Sequence, residues 1–387
     1  MDHHRSEKAR KGRLHGGQSV LSVALYNTMG KMVSAVMTDM LVHLTVQHNL
    51  LPAKCFGGLP GHTMTDSLLY LVNNIKNTWR RRQVATIVFL DIASTFPNAV
   101  TTRLLANMVC LGYPTQVVCF FEAVLSDRHT MLSFDGHTSE TFEVDNSIGQ
   151  GEPSSMILYL IYSHTLVGIP PTCGRDSSVY VDDNFFTTFG STFKECDEKI
   201  NQMLDKQDMW SAAHNLHTEL SKFRCIRFTQ HTDMPQPDFH RTGSGTVIKC
   251  SANARLLGVE VDQELHWHNH MQLAIGKGEA LLHATNCLTR PLFGLPAHHM
   301  HRVYKAVVLP KVEYALLVWY APIQPSTSGG FAMGAVGHTR ELEKVQQLAC
   351  KLITGAFHMT ASDILKVHAH VPPVALQLTD MCHREAL

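Results

Sequence analysis

The stretch VYVDDNFF, Val179 to Phe186, sets two adjacent carboxylates, Asp182 and Asp183, inside an apolar run of β-branched and aromatic residues. A strand alternates its faces residue by residue, so an unbroken strand here would turn one acid toward whatever the sheet packs against. Burying an unpaired carboxylate is costly. The pair therefore needs a turn, a cationic partner or a metal ion, and the flanking SSVYV and NFFTTF suit a hairpin that turns at the acids.

A second stretch has the same character. VATIVFLD, Val84 to Asp91, is a β-branched and aromatic run of strand length ending in an acid; it predicts a central strand delivering Asp91 at its C-terminal end. Between and around these strands the apolar spacing changes to three and four residues. Helices are predicted in GKMVSAVMTDMLVHLTVQ, in TDSLLYLVNNIKNTW with Thr63 or Thr65 near its cap, and in VTTRLLANMVCLG and PTQVVCFFEAVL. HTMLSF and ETFEVDN flank Asp135-Gly136 as a hairpin would. GQGEPSSMILYLIYSHTLVG places Pro153 at a first helical position, ahead of a helix apolar nearly all round that belongs in the interior. TFKECDEKINQMLDKQDMW is amphipathic, with Phe193, Cys196, Ile200, Met203, Leu204 and Trp210 on one face. KFRCIRFT and RLLGVEVD are short strands, and from about His270 onward helical patterns dominate.

A chain of 387 residues implies two or three packed units. No apolar run reaches membrane-spanning length and no leader pattern opens the chain, so an intracellular protein, in cytoplasm or nucleus, is expected rather than a secreted or membrane one. Ten cysteines without a C-x-x-C pair, several inside apolar runs such as Cys119 and Cys350, suit reduced, buried thiols. Thirty-three basic and thirty-three acidic residues cancel, which weighs against a polyanion partner. Basic residues do cluster in RSEKARKGR near the N-terminus and in WRRR at Trp79 to Arg82, and the first eighteen or so residues are aperiodic, as in a disordered segment.

Carboxylates brought from two strands to one spot bind hard divalent cations through oxygen. Two such ions about 3.5 to 4 Å apart activate an attacking hydroxyl and stabilise a leaving oxygen at phosphorus. Acids in turns are common, and on the spacing alone an ordinary solvated turn is the favoured reading.

The order of the motifs adds to this. FLDIASTF, GQGEPSSMILY, YVDD, KFRCIRF and LLGVEVDQELHW resemble motifs A to E of reverse transcriptases, with the closest likeness to LINE-type (non-LTR) retrotransposons, particularly fungal-looking copies. ALYNTMGKM, NLLPAKCFGGLPGHTMTDSLLYLV, LVWY and KLITGAF also look like this family, so the resemblance runs from about residue 20 to the C-terminus. It implies an α+β right-hand polymerase fold, with fingers, a palm built on an antiparallel sheet, and a helical thumb. Fingers and palm would occupy 20–262, thumb and connection 263–387, after a disordered basic segment at 1–19. The implied activity is RNA-directed DNA polymerase, transferring nucleotides with two Mg²⁺ ions, Mn²⁺ being possible, to a primer 3′-hydroxyl. RNA template, DNA primer and deoxynucleotide triphosphates are the implied partners.

Carried onto matching positions, the resemblance makes Asp91 and Asp182 the principal metal ligands, with Asp183 assisting. Phe96, five residues after Asp91, would be the aromatic gate against a 2′-hydroxyl. Gln150 and Gly151 would line the nucleotide and template pocket together with Tyr180, and Pro153 and Ser154 continue that motif. Lys222 would be a general acid for the leaving pyrophosphate, and Leu257 and Gly258 part of the primer grip. Leu256 and Val259 beside them can equally be packing residues.

Three positions depart from the family. Leu21, Leu59 and His62 stand where arginines are expected, which removes cationic contacts to template and triphosphate. A decayed copy that keeps the fold and RNA binding is the alternative function, and a metal-dependent phosphodiesterase using the same acids is a second. The chain has the length of a fragment, with endonuclease and ribonuclease H domains expected elsewhere. The histidine runs HWHNH (His266, His268, His270) and HHMHR (His298, His299, His301) are read as surface and packing residues rather than a zinc site.

Overall fold

The computed structural model describes residues 27–386, apart from 91, 94–95, 135, 145, 170–172, 219–221, 231–236, 243–244, 290–293 and 325–332. Asp91, Leu21 and the basic N-terminal stretch thus lie outside the described residues. Along the chain the elements are α1 (Thr28–Gln47), β1 (Cys55–Phe56), α2 (Met64–Arg80), β2 (Val84–Leu90), β3 (Ile92–Ala93), α3 (Thr101–Leu111) and α4 (Thr115–Leu125). Four two-residue strands follow, β4 (His129–Thr130), β5 (Ser133–Phe134), β6 (His137–Thr138) and β7 (Phe142–Glu143). Next come α5 (Ser155–Ser163), β8 (Arg175–Tyr180), β9 (Asp183–Gly190), α6 (Phe193–Ala213) and β10 (His217–Thr218). After β11 (Arg224–Phe228), β12 (Phe239–His240), β13 (Val247–Ile248), β14 (Asn253–Leu256) and β15 (Val259–Asp262) the chain is helical. Those helices are α7 (His268–Thr285), α8 (Ala297–Val303), α9 (Leu309–Val312), α10 (Leu316–Trp319), α11 (Val336–Thr354), α12 (Ser362–His368) and α13 (Val374–Glu385).

Two compact units result. The first takes the chain up to Thr63 together with Thr86–Arg224 and Asp238–Ile248; the second takes Met64–Ala85, Cys225–Pro237 and everything from Lys249 on. In the first, sheet neighbours run β1-β8-β9-β2. The hairpin β8–β9 is antiparallel, in register from Arg175↔Thr188 to Tyr180↔Asp183. β1 adds to it in parallel, Cys55 opposite Val179 and Phe56 opposite Tyr180, and an ion pair from Lys54 to Asp176 ties the two strands together. Ile87, Val88, Phe185 and Phe186 are all buried, which is why β2 and the centre of β9 are continuous apolar runs rather than alternating ones.

α5 is interior, with Leu158, Tyr159, Leu160, Ile161 and Tyr162 fully buried. It opens at Ser155, so Pro153 stands two residues ahead of the helix in a turn and not at its first position. α6 buries the six residues its spacing assigns, with Gln207 and Ser211 alongside. The Thr192 side chain accepts from Glu195 N, and the Glu195 carboxylate reaches back to accept from Ser191 N at 2.8 Å, one residue before the cap; the two bonds fix where the helix starts. Gly136 is in left-handed conformation between β5 and β6, as the Asp-Gly turn requires. Cys119, read as buried from its apolar neighbours, is exposed on α4 while Val117, Val118 and Phe121 pack inward. The helical period assigns it to the outer face, which a local apolar run does not reveal.

In the second unit β14 and β15 form a hairpin from Asn253↔Asp262 to Leu256↔Val259. Asp262 closes it by accepting from His266 N at 2.7 Å and Trp267 N at 2.8 Å. Within the region where helical patterns dominate, the stretch from His298 to Tyr320 is not one helix: α8 passes into a π-helical segment, Tyr304–Val308, before α9, and Ala315 adopts φ 54 ahead of α10. Pro310 lacks an amide hydrogen, and widening the turn just before it absorbs the missing bond.

His270 is buried in this unit, with its ring 5.6 Å from that of Trp319. Burial, reinforced by the charges of Lys277 and Arg255, pushes its imidazole down to about 4. The folded pKa lies below the unfolded value of about 6.5, so the unfolded chain takes up the proton first and stability falls as pH drops from about 6.5 toward 4. The expected loss is ~3 kcal/mol at the acid end. Urea midpoints at pH 7.5 and pH 5 should converge in His270→Gln relative to the parent; an undiminished pH slope would exclude His270 as its source.

Cys225 on β11 and Cys250 bridge in parallel within the same unit, with Sγ atoms 3.1 Å apart. Strand neighbours at this spacing fall within the reach of a disulfide. Hydrogen peroxide is expected to oxidise the two thiols to a disulfide while being reduced to water. Peptide mapping under non-reducing conditions should recover the 225–250 link, and two free thiols after treatment would refute it.

Candidate active site

Tyr180 pairs with Asp183, so the loop of the β8–β9 hairpin is two residues long, Val181 and Asp182. The turn therefore carries Val-Asp, one residue earlier than the acid pair suggested, and Asp183 opens the strand. Val181 has φ 56, placing the positive angle at the first loop position, where a type II′ turn normally takes glycine. For a β-branched residue that conformation costs about 1–3 kcal/mol and persists only where its surroundings enforce it. Here they do. Val181 is buried and its N–H donates to Phe56 O at 3.3 Å. Gly57, itself at φ +78, lies so close that a Cβ would come within 2.9 Å of Val181 Cγ2 and 3.1 Å of the Tyr180 ring. Gly58 meets α5 in the same way, a Cβ falling 2.7 Å from Met156 Cγ. The two glycines dock one loop against both the acidic turn and α5, a role that the sequence signals only as a doubled glycine.

Asp182 and Asp183 are exposed at this rigid turn. The buried Asn184 braces it, its Nδ2 donating to Asp182 O at 2.9 Å. The ring of Phe89 lies 6.5 Å from that of Phe185, which sets the C-terminal end of β2 beside the start of β9. The chain leaves β2 at Leu90 and pairs again at Ile92, opposite Thr218. The end of β2 and the acidic turn thus share one end of the sheet.

Phe96 is half-buried, its ring 5.0 Å from that of Tyr159 on α5. Its carbonyl accepts from Ile148 N at 2.8 Å, which brings the segment leading into Gln150 alongside. Gln150 is half-buried with Oε1 buried and without a partner, and Gly151 is exposed at φ +90. Ser154 is buried with its hydroxyl also unpartnered, Pro153 is exposed, and Tyr180 is half-buried at the end of β8. Lys222 is exposed just ahead of β11. All of these belong to the first unit.

Leu257 and Gly258 belong to the second unit, as the turn between β14 and β15, at φ 47 and +83. Tyr314 OH donates to Leu257 O at 2.8 Å, and a Cβ on Gly258 would stand 3.1 Å from the Tyr314 ring. Leu256 and Val259 are buried packing residues beneath that turn. In the first unit, Leu59 is half-buried and its carbonyl accepts from His62 N at 3.2 Å. The His62 ring packs 6.2 Å from Phe56 with Nδ1 buried and unpartnered.

The exposed carboxylates of Asp182 and Asp183 are hard oxygen donors on a braced turn, a set that suits Mg²⁺ or Mn²⁺ and not a thiophilic metal. Among the described residues no three His, Cys, Asp or Glu side chains converge as a metal set. His266 and His268 are exposed, and His268 lies 5.6 Å from His338. Among the described residues no helix is long and apolar enough to cross a membrane.

The family model described as reverse transcriptase (RNA-dependent DNA polymerase) matches residues 15–261, well over half of the chain. Over 335 residues the chain is 19% identical to a Drosophila melanogaster protein named probable RNA-directed DNA polymerase from transposon X-element, covering 86% of this chain and 35% of the relative. A second Drosophila melanogaster protein, probable RNA-directed DNA polymerase from transposon BS, is 18% identical over 307 residues, 78% of this chain and 34% of that one. The chain spans about a third of the length of these relatives. Solved structures that it resembles include apo telomerase from Candida tropicalis, at 9% identity over 90% of this chain and 55% of that chain, with a TM-score of 0.45. Another is telomerase from Candida albicans in complex with a fragment of telomeric RNA, at 11% identity over 91% of this chain and 54% of that chain, with a TM-score of 0.39. The described residues form a mixed α and β fold, and the chain belongs to the reverse transcriptase family.

Proposed function

We propose that this chain copies RNA into DNA, adding deoxynucleotides to a primer 3′-hydroxyl, as the polymerase of a non-LTR retrotransposon. The observation that carries this reading is the braced two-residue turn with exposed Asp182 and Asp183 in a member of the reverse transcriptase family. The names of the Drosophila relatives, both transposon polymerases, support the element class.

Asp182 and Asp183, with Asp91, would hold two Mg²⁺ ions, which when bound acidify the primer hydroxyl and neutralise charge developing at phosphorus. Phe96 would crowd a 2′-hydroxyl and so favour deoxynucleotides. Tyr180 and the Gln150 carboxamide would contact the incoming nucleotide, and Gly151 lets the backbone approach it. Lys222 would deliver a proton to the leaving pyrophosphate. In the second unit the Leu257–Gly258 turn would steady the primer strand. Leu59 and His62 provide no permanent cation where the family has arginines, so triphosphate binding should be weak and strongly salt-dependent.

Primer extension tests the proposal directly. A primed RNA template with Mg²⁺ and all four deoxynucleotides should give products that end at the template's 5′ terminus and vanish without template. Shortening of the primer would instead reveal a phosphodiesterase. No extension by a protein shown to be folded would leave the decayed-copy reading in its place.

A further inference from the structure

Buried hydroxyls are ordinarily hydrogen-bonded, and one left bare costs about 1–3 kcal/mol. Tyr159 does not follow this. Its side chain is fully buried in the middle of α5, yet its hydroxyl has no partner. Phenylalanine would fill the same space without that penalty, so the oxygen has to be accounted for.

Its surroundings suggest how. The Tyr159 ring packs against Phe96, at 5.0 Å and a 39° tilt. Tyr162 lies 6.5 Å from Tyr159, held by its hydroxyl's bond to His214 O and by edge-on contact with the His214 ring at 5.4 Å. His214 is stacked in turn on Trp210 at 4.2 Å. Phe96 thus rests against an aromatic row anchored on α6. Burial, with the charge of Asp182 acting in the same direction, keeps the phenol protonated. A neutral O–H donor and the back of Phe96 therefore belong to one rigid side chain.

We propose that Tyr159 is a positioning and specificity-determining residue, whose ring sets the depth of Phe96 in the nucleotide site and whose bare hydroxyl is retained as a hydrogen-bond donor within that wall. This rests on the reading of Phe96 as the sugar gate. Ring and hydroxyl make separate predictions. Losing the aromatic contact in Tyr159→Leu should lower the kcat/KM preference for deoxynucleotides over ribonucleotides by up to about tenfold, the equivalent of one aromatic pair. Tyr159→Phe should keep that preference, lower kcat by about three- to tenfold, and raise the urea midpoint because the bare hydroxyl is gone. A hydroxyl with only a structural role would change the midpoint and leave kcat alone.

The decisive measurement is the deoxy-to-ribonucleotide selectivity of wild type, Phe96→Val, Tyr159→Leu, Tyr159→Phe and the Phe96→Val/Tyr159→Leu double variant. It is read by single-nucleotide extension and, independently of turnover, by binding of dGTP and GTP with Mg²⁺ to the folded protein. The double variant should be no less selective than Phe96→Val alone, since Tyr159 acts through Phe96. If Phe96→Val relaxes selectivity and Tyr159→Leu does not, the role of the Tyr159 ring is refuted while the gate stands. If Phe96→Val changes nothing, the gate reading itself fails. An unchanged kcat in Tyr159→Phe refutes the role of the hydroxyl. Should Tyr159→Leu fail to fold, Tyr159→Met fills the volume without a flat ring and decides the same question.

Discussion

Asp182→Asn is expected to reduce nucleotide addition by at least about a thousandfold while leaving the unfolding midpoint close to that of the parent. The reduction follows from charge. Metal-assisted stabilisation of the transition state is worth several kcal/mol, and each 1.36 kcal/mol is a factor of ten. An amide of the same shape keeps the turn but provides no negative charge for a hard cation. The stability follows from exposure. Asp182 is solvent-facing, and the bond it contributes to the turn uses its backbone carbonyl, which accepts from Asn184 and survives the substitution. Surface changes of this sort usually stay within about 0.5 kcal/mol. Single-turnover extension and urea denaturation on the same preparation check both halves. Residual extension within tenfold of the parent would remove Asp182 from the metal site, and a large loss of stability would make the activity result uninformative about chemistry. Asp183→Asn should have a smaller effect, in line with its assisting place.

The second large effect is on the fold that carries those acids. Phe185 is buried in β9, two residues beyond Asp183, and its ring packs against Phe89 of β2. Phe185→Ala should cost about 3–5 kcal/mol, a large part of the 5–15 kcal/mol typical of a native protein. Phe185→Leu, which keeps most of the volume, should cost markedly less. Urea melts of the two variants measure the difference. A loss below about 1 kcal/mol for alanine would mean that the aromatic pair is not part of the core.

The hairpin, the central strand before Asp91 and the amphipathic face of α6 were legible in the sequence because each is a local pattern. A run of β-branched residues, an interruption by acids, or a three-to-four spacing is written in consecutive positions. The position of the turn was off by one residue because Val181, a poor turn former by itself, is forced into the turn by Gly57 and Phe56, more than a hundred residues earlier. β1 was missed for a related reason: two residues in a parallel pairing carry no period. The row from Phe96 through Tyr159 and Tyr162 to His214 joins two helices and a turn, so no window of sequence contains it. The break before Pro310 could have been suspected from the proline alone, whereas the π-helical form it takes depends on packing within the second unit.

The two-residue loop between β8 and β9 also bears on how copies of such a gene decay. Period-two pairing has no slack, so one codon inserted into or lost from the stretch encoding 175–190 turns every later side chain of that strand to the opposite face of a sheet buried on both sides and detaches the acids from their brace. Substitutions on exposed helical faces leave no comparable mark. Among drifting copies, small insertions and deletions should therefore be depleted in this segment for as long as selection for activity lasts and spread into it once selection ends, so the hairpin records when a lineage fell silent.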